Sequence, residues 1–179
     1  GTIAVTVDCT AVSTVTKTAI DGGYKCTCTS PTLKDGSHTI SVKASDNDGN
    51  AAAAKTATFT VDTVPPTLQI TAPSNDLVTN KKTVTITGKT DDVTSKPVTV
   101  TVNGATVTVG TDGTFTKDVT LVESANTITI VAKDKAGKTT TVTRKVTVDT
   151  SAPVIRSITL TPNPVDCGKT FIIAVEITD

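Results

Sequence analysis

An internal repeat of about 88 residues is the feature that most constrains how this 179-residue chain can fold. Residues 38–49 match residues 126–137 at an offset of 88, and the Val-Asp-Thr run at 61–63 returns at 148–150, at an offset of 87. The other matching pairs are 5–8 with 100–103, at an offset of 95, and 82–86 with 169–173, at an offset of 87. A period of this length is the size of one small β-sandwich, so the sequence predicts an array of repeated domains.

The central repeat is predicted to contain seven short strands. Apolar and polar residues alternate with a period of two, and the chain holds 42 Thr and 24 Val, β-branched residues that suit pleated sheets. Asn103-Gly104 and Asp112-Gly113 predict tight turns, and a bulge or a twist is expected near Arg144, where the inward apolar set passes across a charged residue. The predicted strands are 68–71, 83–88, 98–102, 106–109, 114–121, 127–133 and 139–148. The predicted fold class is therefore all-β, with tandem immunoglobulin-like Greek-key β-sandwiches.

The repeat divides the chain out of phase. Residues 1–63 are predicted to form a domain that lacks its first two strands, 64–151 a complete domain, and 152–179 the first two strands of a further domain. The chain does not start with Met and is interpreted as an excised or processed piece. Because five strands with an open apolar face invite association, we expect the hairpin of 152–179 to complete 1–63 of a neighbouring chain by strand exchange. The alternative is that both ends are simply truncated and partly disordered.

Composition and charge exclude several function classes. Basic and acidic residues balance at 17 each, without the basic stripe of a nucleic-acid-binding protein, so no nucleic acid is expected as a partner. The sequence contains no run of 18 apolar residues, so membrane insertion is not expected. Aromatic residues make up 2% of the chain, which counts against a platform of rings for stacking sugars. No catalytic residues and no enzyme activity are predicted, because no acid–base pair, nucleophile elbow or complete metal set is visible.

The lone histidine and the four cysteines favour structural roles. His38 is expected to be a solvated turn residue, because no nucleophile and carboxylate converge on it in the sequence. Cys26 and Cys28 lie two residues apart on one strand face, at the edge of disulfide reach, and are expected not to pair. The cysteines are interpreted mainly as small core residues. If strands are exchanged, Cys9 and Cys167 come close enough for an interchain disulfide.

Calcium is the one cofactor for which the sequence offers candidate ligands. Residues 46–50 resemble the start of a calcium loop, but position 57 is Ala where the twelfth-position Glu belongs, so an ordinary turn is preferred. A sharper candidate lies at the junction of the first two repeats, where Asp62 is expected to face Asp91, Asp92 and Asp134. The converging carboxylates would bind calcium and stiffen the linker.

A resemblance to a known family rests on residues 113–121, 126–134 and 148–153. They resemble the bacterial immunoglobulin-like (Big-type) repeat domains of surface, secreted and phage-tail proteins, and in particular the accessory modules of bacterial polysaccharide hydrolases. The likeness extends to residues 33–49 and covers nearly the whole chain. It implies no catalytic residues, because the family serves mostly as spacers, stalks and adhesive modules.

The leading functional prediction is a non-enzymatic spacer or stalk of an extracellular or cell-surface bacterial protein. Pro at the hinges 61–66 and 148–153 keeps the linkers extended, so neighbouring immunoglobulin-like repeats should form a semi-rigid rod. Two alternatives stay open. One is an adhesion or carbohydrate-binding accessory module with a surface glycan or protein ligand, and the other is a decoration domain of a phage tail.

Overall fold

The computed structural model describes residues 1–8, 10–12, 14–161, 163–164 and 167–179. Within these residues the chain folds into β-strands and turns without any helix, and hence no helix that could span a membrane. The strands fall into three groups, at 2–28 with 36–61, at 67–148 and at 154–178. The all-β class is therefore confirmed, whereas the domain boundaries themselves stay predictions.

The central unit is a sandwich of two sheets. Its strands are β7 (Thr67–Ala72), β8 (Leu77–Thr79), β9 (Thr83–Asp91), β10 (Thr99–Val102), β11 (Ala105–Val107), β12 (Thr114–Thr120), β13 (Ser124–Lys133) and β14 (Thr139–Val148). One sheet has the order β11-β10-β13-β14-β8 and the other has the order β12-β9-β7. This order is that of a Greek-key immunoglobulin-like sandwich.

The core lies between these two sheets. Alternate residues of every long strand point inward, as the period of two predicts, and they fill the space between the sheets. Ile86, Ile128 and Ile130 are fully buried at 0% exposure. The other buried apolar residues are Ile70, Val98, Val100, Val102, Val107, Phe115, Leu121, Ala132, Val146 and Val148.

Two details of this unit differ from the sequence prediction. The unit has eight strands rather than seven, because β8 pairs in parallel with β14. The bulge expected at Arg144 is wrong, since β13 and β14 pair without a shift along their whole length. The irregularity lies in β7, between Ile70 and Ala72. Arg144 reaches across to this segment and donates to the carbonyl oxygens of Ile70 and Pro73, at 3.1 Å each.

The first unit contains one half of a comparable sandwich. Its strands are β1 (Thr2–Val7), β2 (Thr10–Ala11), β3 (Val15–Ile20), β4 (Gly23–Cys28), β5 (Gly36–Ser45) and β6 (Lys55–Val61). Strands β2, β1, β5 and β6 form one sheet in that order, and β3 pairs only with β4. The prediction of five strands is therefore corrected to six. The hairpin of β3 and β4 makes the first repeat seven residues longer at this point. This insertion explains why the offset between matching residues of the two repeats is 95 before the hairpin and 88 after it.

The third unit is a single antiparallel hairpin of β15 (Val154–Thr161) and β16 (Ile172–Thr178). Val154 pairs with Thr178, which repeats the pairing of Thr67 with Asp91 at an offset of 87. Its apolar side chains are between 44% and 70% exposed; they are Val154, Ile155, Ile158, Leu160, Ile172, Ile173, Val175 and Ile177. This hairpin is thus the counterpart of β7 and β9 without a facing sheet.

Candidate metal centre at the junction of the first two repeats

Three aspartates from distant parts of the sequence meet at the junction. Asp62 follows β6 of the first unit, Asp92 follows β9, and Asp134 follows β13 of the central unit. One carboxylate oxygen of each lies within 4.8 Å of those of the other two. They are brought together because the loop between β9 and β10 and the turn between β13 and β14 lie at the same end of the sandwich, where the chain enters from the first unit.

Each carboxylate is anchored through one oxygen. The Oδ1 atom of Asp62 accepts from the backbone N–H of Val64 at 3.1 Å, and that of Asp134 accepts from the N–H of Lys138 at 2.8 Å. Asp92 Oδ1 accepts from the N–H groups of Thr94 and Ser95, at 2.8 and 2.6 Å. These local bonds, which are typical of aspartate in turns, fix the orientation of the side chains.

The second oxygens are the unusual feature of the cluster. Asp62, Asp92 and Asp134 are only 9%, 6% and 5% exposed. The Oδ2 atoms of Asp62 and Asp134 are buried without any hydrogen-bond partner. Two negative charges 4.8 Å apart repel by roughly 3 kcal/mol at an effective dielectric constant of about 20. Buried charges of this kind are normally paired or coordinate a metal.

No lysine or arginine of the described residues forms an ion pair with the cluster. The ion pairs found among these residues are His38 with Asp8 and Lys96 with Asp91. Asp91, which was also expected at this site, is not among the three clustered carboxylates. Asp91 is exposed and lies 2.7 Å from the Lys96 ammonium, because successive residues of a strand point to opposite sides. Its hydrogen bond with Lys96 is the main reason that the pKa of Asp91 is lowered.

The two Val-Asp-Thr hinges share a carboxylate clamp that the sequence did not reveal. Thr63 donates through its backbone N–H and its hydroxyl to Asp35, at 2.9–3.0 Å. Thr150 donates in the same way to Glu123, at 2.9 and 2.8 Å. Asp35 and Glu123 are 88 residues apart, so their repeat positions could have been found by the same offset. Each clamp ties the hinge back to the unit that precedes it.

His38 is buried, and its description as a solvated turn residue is wrong. Its Nδ1 atom lies 2.5 Å from Asp8 Oδ2, its Nε2 atom lies 2.7 Å from the carbonyl oxygen of Lys34, and its ring packs on Phe59. The hydrogen bond to Asp8 is the main reason that the pKa of His38 is raised. Asp8 also accepts from the backbone N–H of Thr39, the main reason that the pKa of Asp8 is lowered. The pair fastens the end of β1 to β5.

The three cysteines that the structure describes do not form part of the core. Cys28 and Cys167 are exposed and Cys26 is half-buried, which corrects their description as core residues. Cys26 and Cys28 are free thiols on one strand and do not pair with each other, as expected. The suggested disulfide between Cys9 and Cys167 involves Cys9, which lies outside the described residues.

Shallow clefts flank the junction. One cleft, of about 400 Å³, is bordered by the loop after β9, the turn after β13 and residues 58–60 of β6. Phe59 is its aromatic residue. A larger cleft of about 510 Å³ on the side of the central unit is lined by residues 89–91, 96–98 and 109–113, none of them aromatic.

Two family models each match a separate part of the chain. Residues 1–63 match the family model described as a bacterial Ig-like domain, and residues 66–150 match that of domain B of glucodextranase. The chain is also 32% identical over 143 residues to bacillopeptidase F of Bacillus subtilis (strain 168). The matched region covers 80% of this chain and 10% of that protein, so the chain spans about a tenth of the length of this relative.

Two solved structures are similar to this chain at low sequence identity. The fibronectin(III)-like modules of CbhA from Clostridium thermocellum share 20% identity at a TM-score of 0.46, over 82% of this chain and 77% of theirs. The tetra-tandem repeat in the extending region of a large adhesion protein shares 23% identity at a TM-score of 0.41, over 97% of this chain and 54% of that one.

Proposed function

We propose that this chain, of which residues 1–63 match the family model of a bacterial Ig-like domain, acts as a non-enzymatic spacer in an extracellular bacterial multidomain protein. Such a segment holds neighbouring modules at a set distance and orientation, and its partners are the repeats on either side. The observation that carries the proposal is the clamped hinge. At both Val-Asp-Thr sites a carboxylate of the preceding unit binds the hinge threonine through two donors, and Pro follows within three residues.

A restrained hinge distinguishes a spacer from a string of independent domains. Pro65 and Pro66 fix φ and lack an N–H group, and Asp62 bonds to the N–H of Val64 inside the linker. Few bonds are left free to rotate between β6 and β7. The two units are therefore expected to keep one mutual orientation, as semi-rigid linkers do.

Distances between two spin labels, measured by double electron–electron resonance, test the proposal. Spin labels at Lys43→Cys and Lys117→Cys, both exposed positions, report the separation of the first and central units in a chain whose four native cysteines are replaced by Ser. We expect a narrow distance distribution, and Asp35→Ala should broaden it by releasing Thr63. The matched control is Asp112→Ala, which removes the same two bonds to Thr114 inside a turn of the central unit. A broad distribution in the parent chain would refute the spacer role.

A carbohydrate-related accessory role is the second candidate. It is favoured by the match of residues 66–150 to a domain of glucodextranase and by the cleft of about 400 Å³ beside Phe59. Binding of an oligosaccharide on a glycan array, abolished by Phe59→Ala, would support this role. The absence of any bound glycan would leave the spacer as the better description.

Two sheets of this chain, that of the first unit and that of the β15–β16 hairpin, have no second sheet packed against them and suggest how copies of the chain associate. In the central unit β7 and β9 cover the sheet that contains β10, β13 and β14, whereas β15 and β16 have the register of β7 and β9 but cover nothing. The first unit offers the matching sheet, with Val42 and Phe59 37% and 38% exposed. We therefore propose that the hairpin of one copy docks on the first unit of another. Sedimentation velocity should show concentration-dependent dimers that Ile158→Asp and Val175→Asp abolish, and a monomer at high concentration would contradict exchange.

A further inference from the structure

We propose that the central unit has a further function, which is to bear tension along the chain. Its first strands, β7 and β8, run beside its last strand, β14, in the same direction and are bonded to it at five successive levels. We call this line of bonds the parallel seam. The delivery of tension to the unit rests on the proposed spacer role, whereas the resistance of the seam depends only on its own bonds.

The first half of the seam is made by side chains of β14. The hydroxyl of Thr140 donates to the carbonyl oxygen of Pro66 at 2.5 Å. Arg144 donates through Nη2 to the carbonyl oxygen of Ile70 and through Nε to that of Pro73, at 3.1 Å each. These bonds join the edges of the two sheets, because β7 belongs to the smaller sheet and β14 to the larger one.

The second half of the seam is made mainly by the backbone. Asn75 Oδ1 accepts from the backbone N–H of Lys145 at 3.0 Å. Strand β8 then pairs in parallel with residues 146–148, and the N–H of Asp149 donates to the carbonyl oxygen of Thr79 at 3.0 Å. From residue 140 to residue 149 the seam therefore follows β14 over about 30 Å, at about 3.3 Å per residue.

The direction of the strands determines how tension loads the seam. The chain enters the unit at Pro66, which is bonded to Thr140, and leaves it at Asp149, which is bonded to Thr79. The entry and the exit therefore lie at opposite ends of the seam. Tension pulls β7 and β8 towards one end and β14 towards the other. Because the bonds lie across this direction, they are sheared together and must break together.

The other two units of the described chain lack this arrangement. In the hairpin Val154 pairs with Thr178, so both of its ends lie at the same end of the two strands. Tension between these ends opens the pairs one after another, and each pair resists alone. In the first unit β6 pairs only with β5 among the described residues. Of the three units, the central one is therefore built to resist tension.

The seam also accounts for the charged residue in the inward row of β14. Arg144 is half-buried and lies between Val142 and Val146 in this row. Its planar guanidinium carries several donors in a fixed arrangement, so it can bond two carbonyl oxygens at once. An apolar side chain would pack at this position but would give the seam no bond. In the first unit, where β6 has no parallel partner, Ala57 stands at the repeat position of Arg144.

Force spectroscopy on single molecules tests the proposal. The full chain, with its four native cysteines replaced by Ser, is attached to two DNA handles through Gly1→Cys and Asp179→Cys and held at constant force. The central unit is identified by its length, because residues 66–150 span about 28–31 nm when extended at about 3.3–3.6 Å each. We expect it to unfold in one step, at a higher force than the first unit and the hairpin.

Variants of the seam and of the core separate resistance to force from stability. Arg144→Met and Asn75→Ala should each raise the unfolding rate at constant force about tenfold, because these bonds break before the transition state. Asn75→Ala removes one bond and keeps the test available if Arg144→Met does not fold. The matched controls are Ile86→Val and Ile130→Val, fully buried residues outside the seam, with a similar loss of stability in urea. They should change the rate less than about threefold, since the sheets are still packed when the seam breaks.

Two results would overturn the tension-bearing function. One is a central unit that unfolds at the force of the hairpin, and the other is a set of core variants that raise the rate as much as the seam variants do. The spin-label distances test the spacer role separately. A narrow distance distribution with a weak seam supports the spacer role and refutes the tension-bearing function. A broad distribution with a strong seam refutes the spacer role and supports the resistance of the seam.

Discussion

Gly88 offers a sharp test of the central sandwich, because its surroundings reverse the usual effect of a glycine in a strand. It lies in the middle of β9, opposite Phe115 on β12 and Ile70 on β7. A Cβ atom built there would lie 2.6 Å from the Gln69 carbonyl oxygen, 2.7 Å from Phe115 Cζ and 3.0 Å from Ile70 Cδ1. The phenylalanine ring therefore occupies the place where a side chain would lie.

The expected cost of Gly88→Ala follows from these distances. Elsewhere in a strand the exchange stabilises by about 0.5–1 kcal/mol, because alanine loses less backbone entropy. Here a backbone oxygen and a packed ring must both move, and such overpacking costs about 1–3 kcal/mol. For a unit of this size each kcal/mol lowers the Tm by roughly 4–8 °C. The net change is therefore a clear destabilisation of the central unit.

Urea denaturation followed by circular dichroism measures this change. Gly23→Ala is the matched control, since Gly23 lies in β4 with nothing within 4 Å of its Cβ position and is expected to be neutral or slightly stabilising. In a Phe115→Leu background the cost of Gly88→Ala should fall, because Cζ is gone. If Gly88→Ala proved as stable as the parent chain, the close packing of β9 between β7 and β12 would be refuted.

Three further predictions concern single side chains. Arg144→Met should destabilise by about 1–3 kcal/mol in urea, because it leaves the carbonyl oxygens of Ile70 and Pro73 without their donor, and Arg144→Lys should not restore both bonds. Asn126→Ala should lower the free energy of unfolding by about 1–2 kcal/mol, since the Asn126 side chain accepts from the N–H and donates to the carbonyl oxygen of Val122. A smaller loss of stability than that caused by Asn75→Ala would contradict this role. The pKa of His38 is raised, so its contribution is full below its unfolded value of 6.5 and is lost as the pH rises through the raised folded pKa. The pKa of Asp8 is lowered, so its contribution to stability is full above 3.8 and is lost as the pH falls through the lowered folded pKa. An NMR titration of His38, the only histidine, with a midpoint at or below pH 6.5 would contradict the raised pKa.

The repeat offset and the alternation of side chains predicted most of the central sandwich. Strand β14 has the predicted bounds, and Asn103-Gly104 forms the predicted turn with φ of 47° and 80°. Strand β8 was missed because three residues between turns leave too short a pattern. The role of Arg144 was missed because a charged residue on an inward face signals irregularity, whereas its long side chain reaches carbonyl oxygens at the edge of the sandwich.

The candidate site was predictable in part. Topology alone places the ends of β9 and β13 at one end of the sandwich, so Asp92 and Asp134 could be expected to meet Asp62 there. The choice between Asp91 and Asp92 depends on which face of the strand each residue occupies, and the predicted strand ended at residue 88. Since the strand runs to Asp91, this residue faces solvent and Lys96. His38 was misjudged because its partners lie 30 residues before it and four before it, and no local pattern announces them.

Departures from the repeat, rather than the repeat itself, are where function can differ between units of one fold. The clamp of Thr63 by Asp35 recurs as Thr150 with Glu123, so it belongs to the common architecture of the hinge. The two repeats differ, however, where Lys138 stands at the position of Asn50. Asp46 has its Oδ2 bonded by Asn50, whereas the Oδ2 atom of Asp134 is buried without a partner. Lys138→Asn should therefore supply Asp134 Oδ2 with a local amide, as in the first unit, and weaken the calcium binding that the sequence predicts, without removing any ligand. Unchanged calcium affinity in this variant would show that the free oxygen is not the determinant of the site.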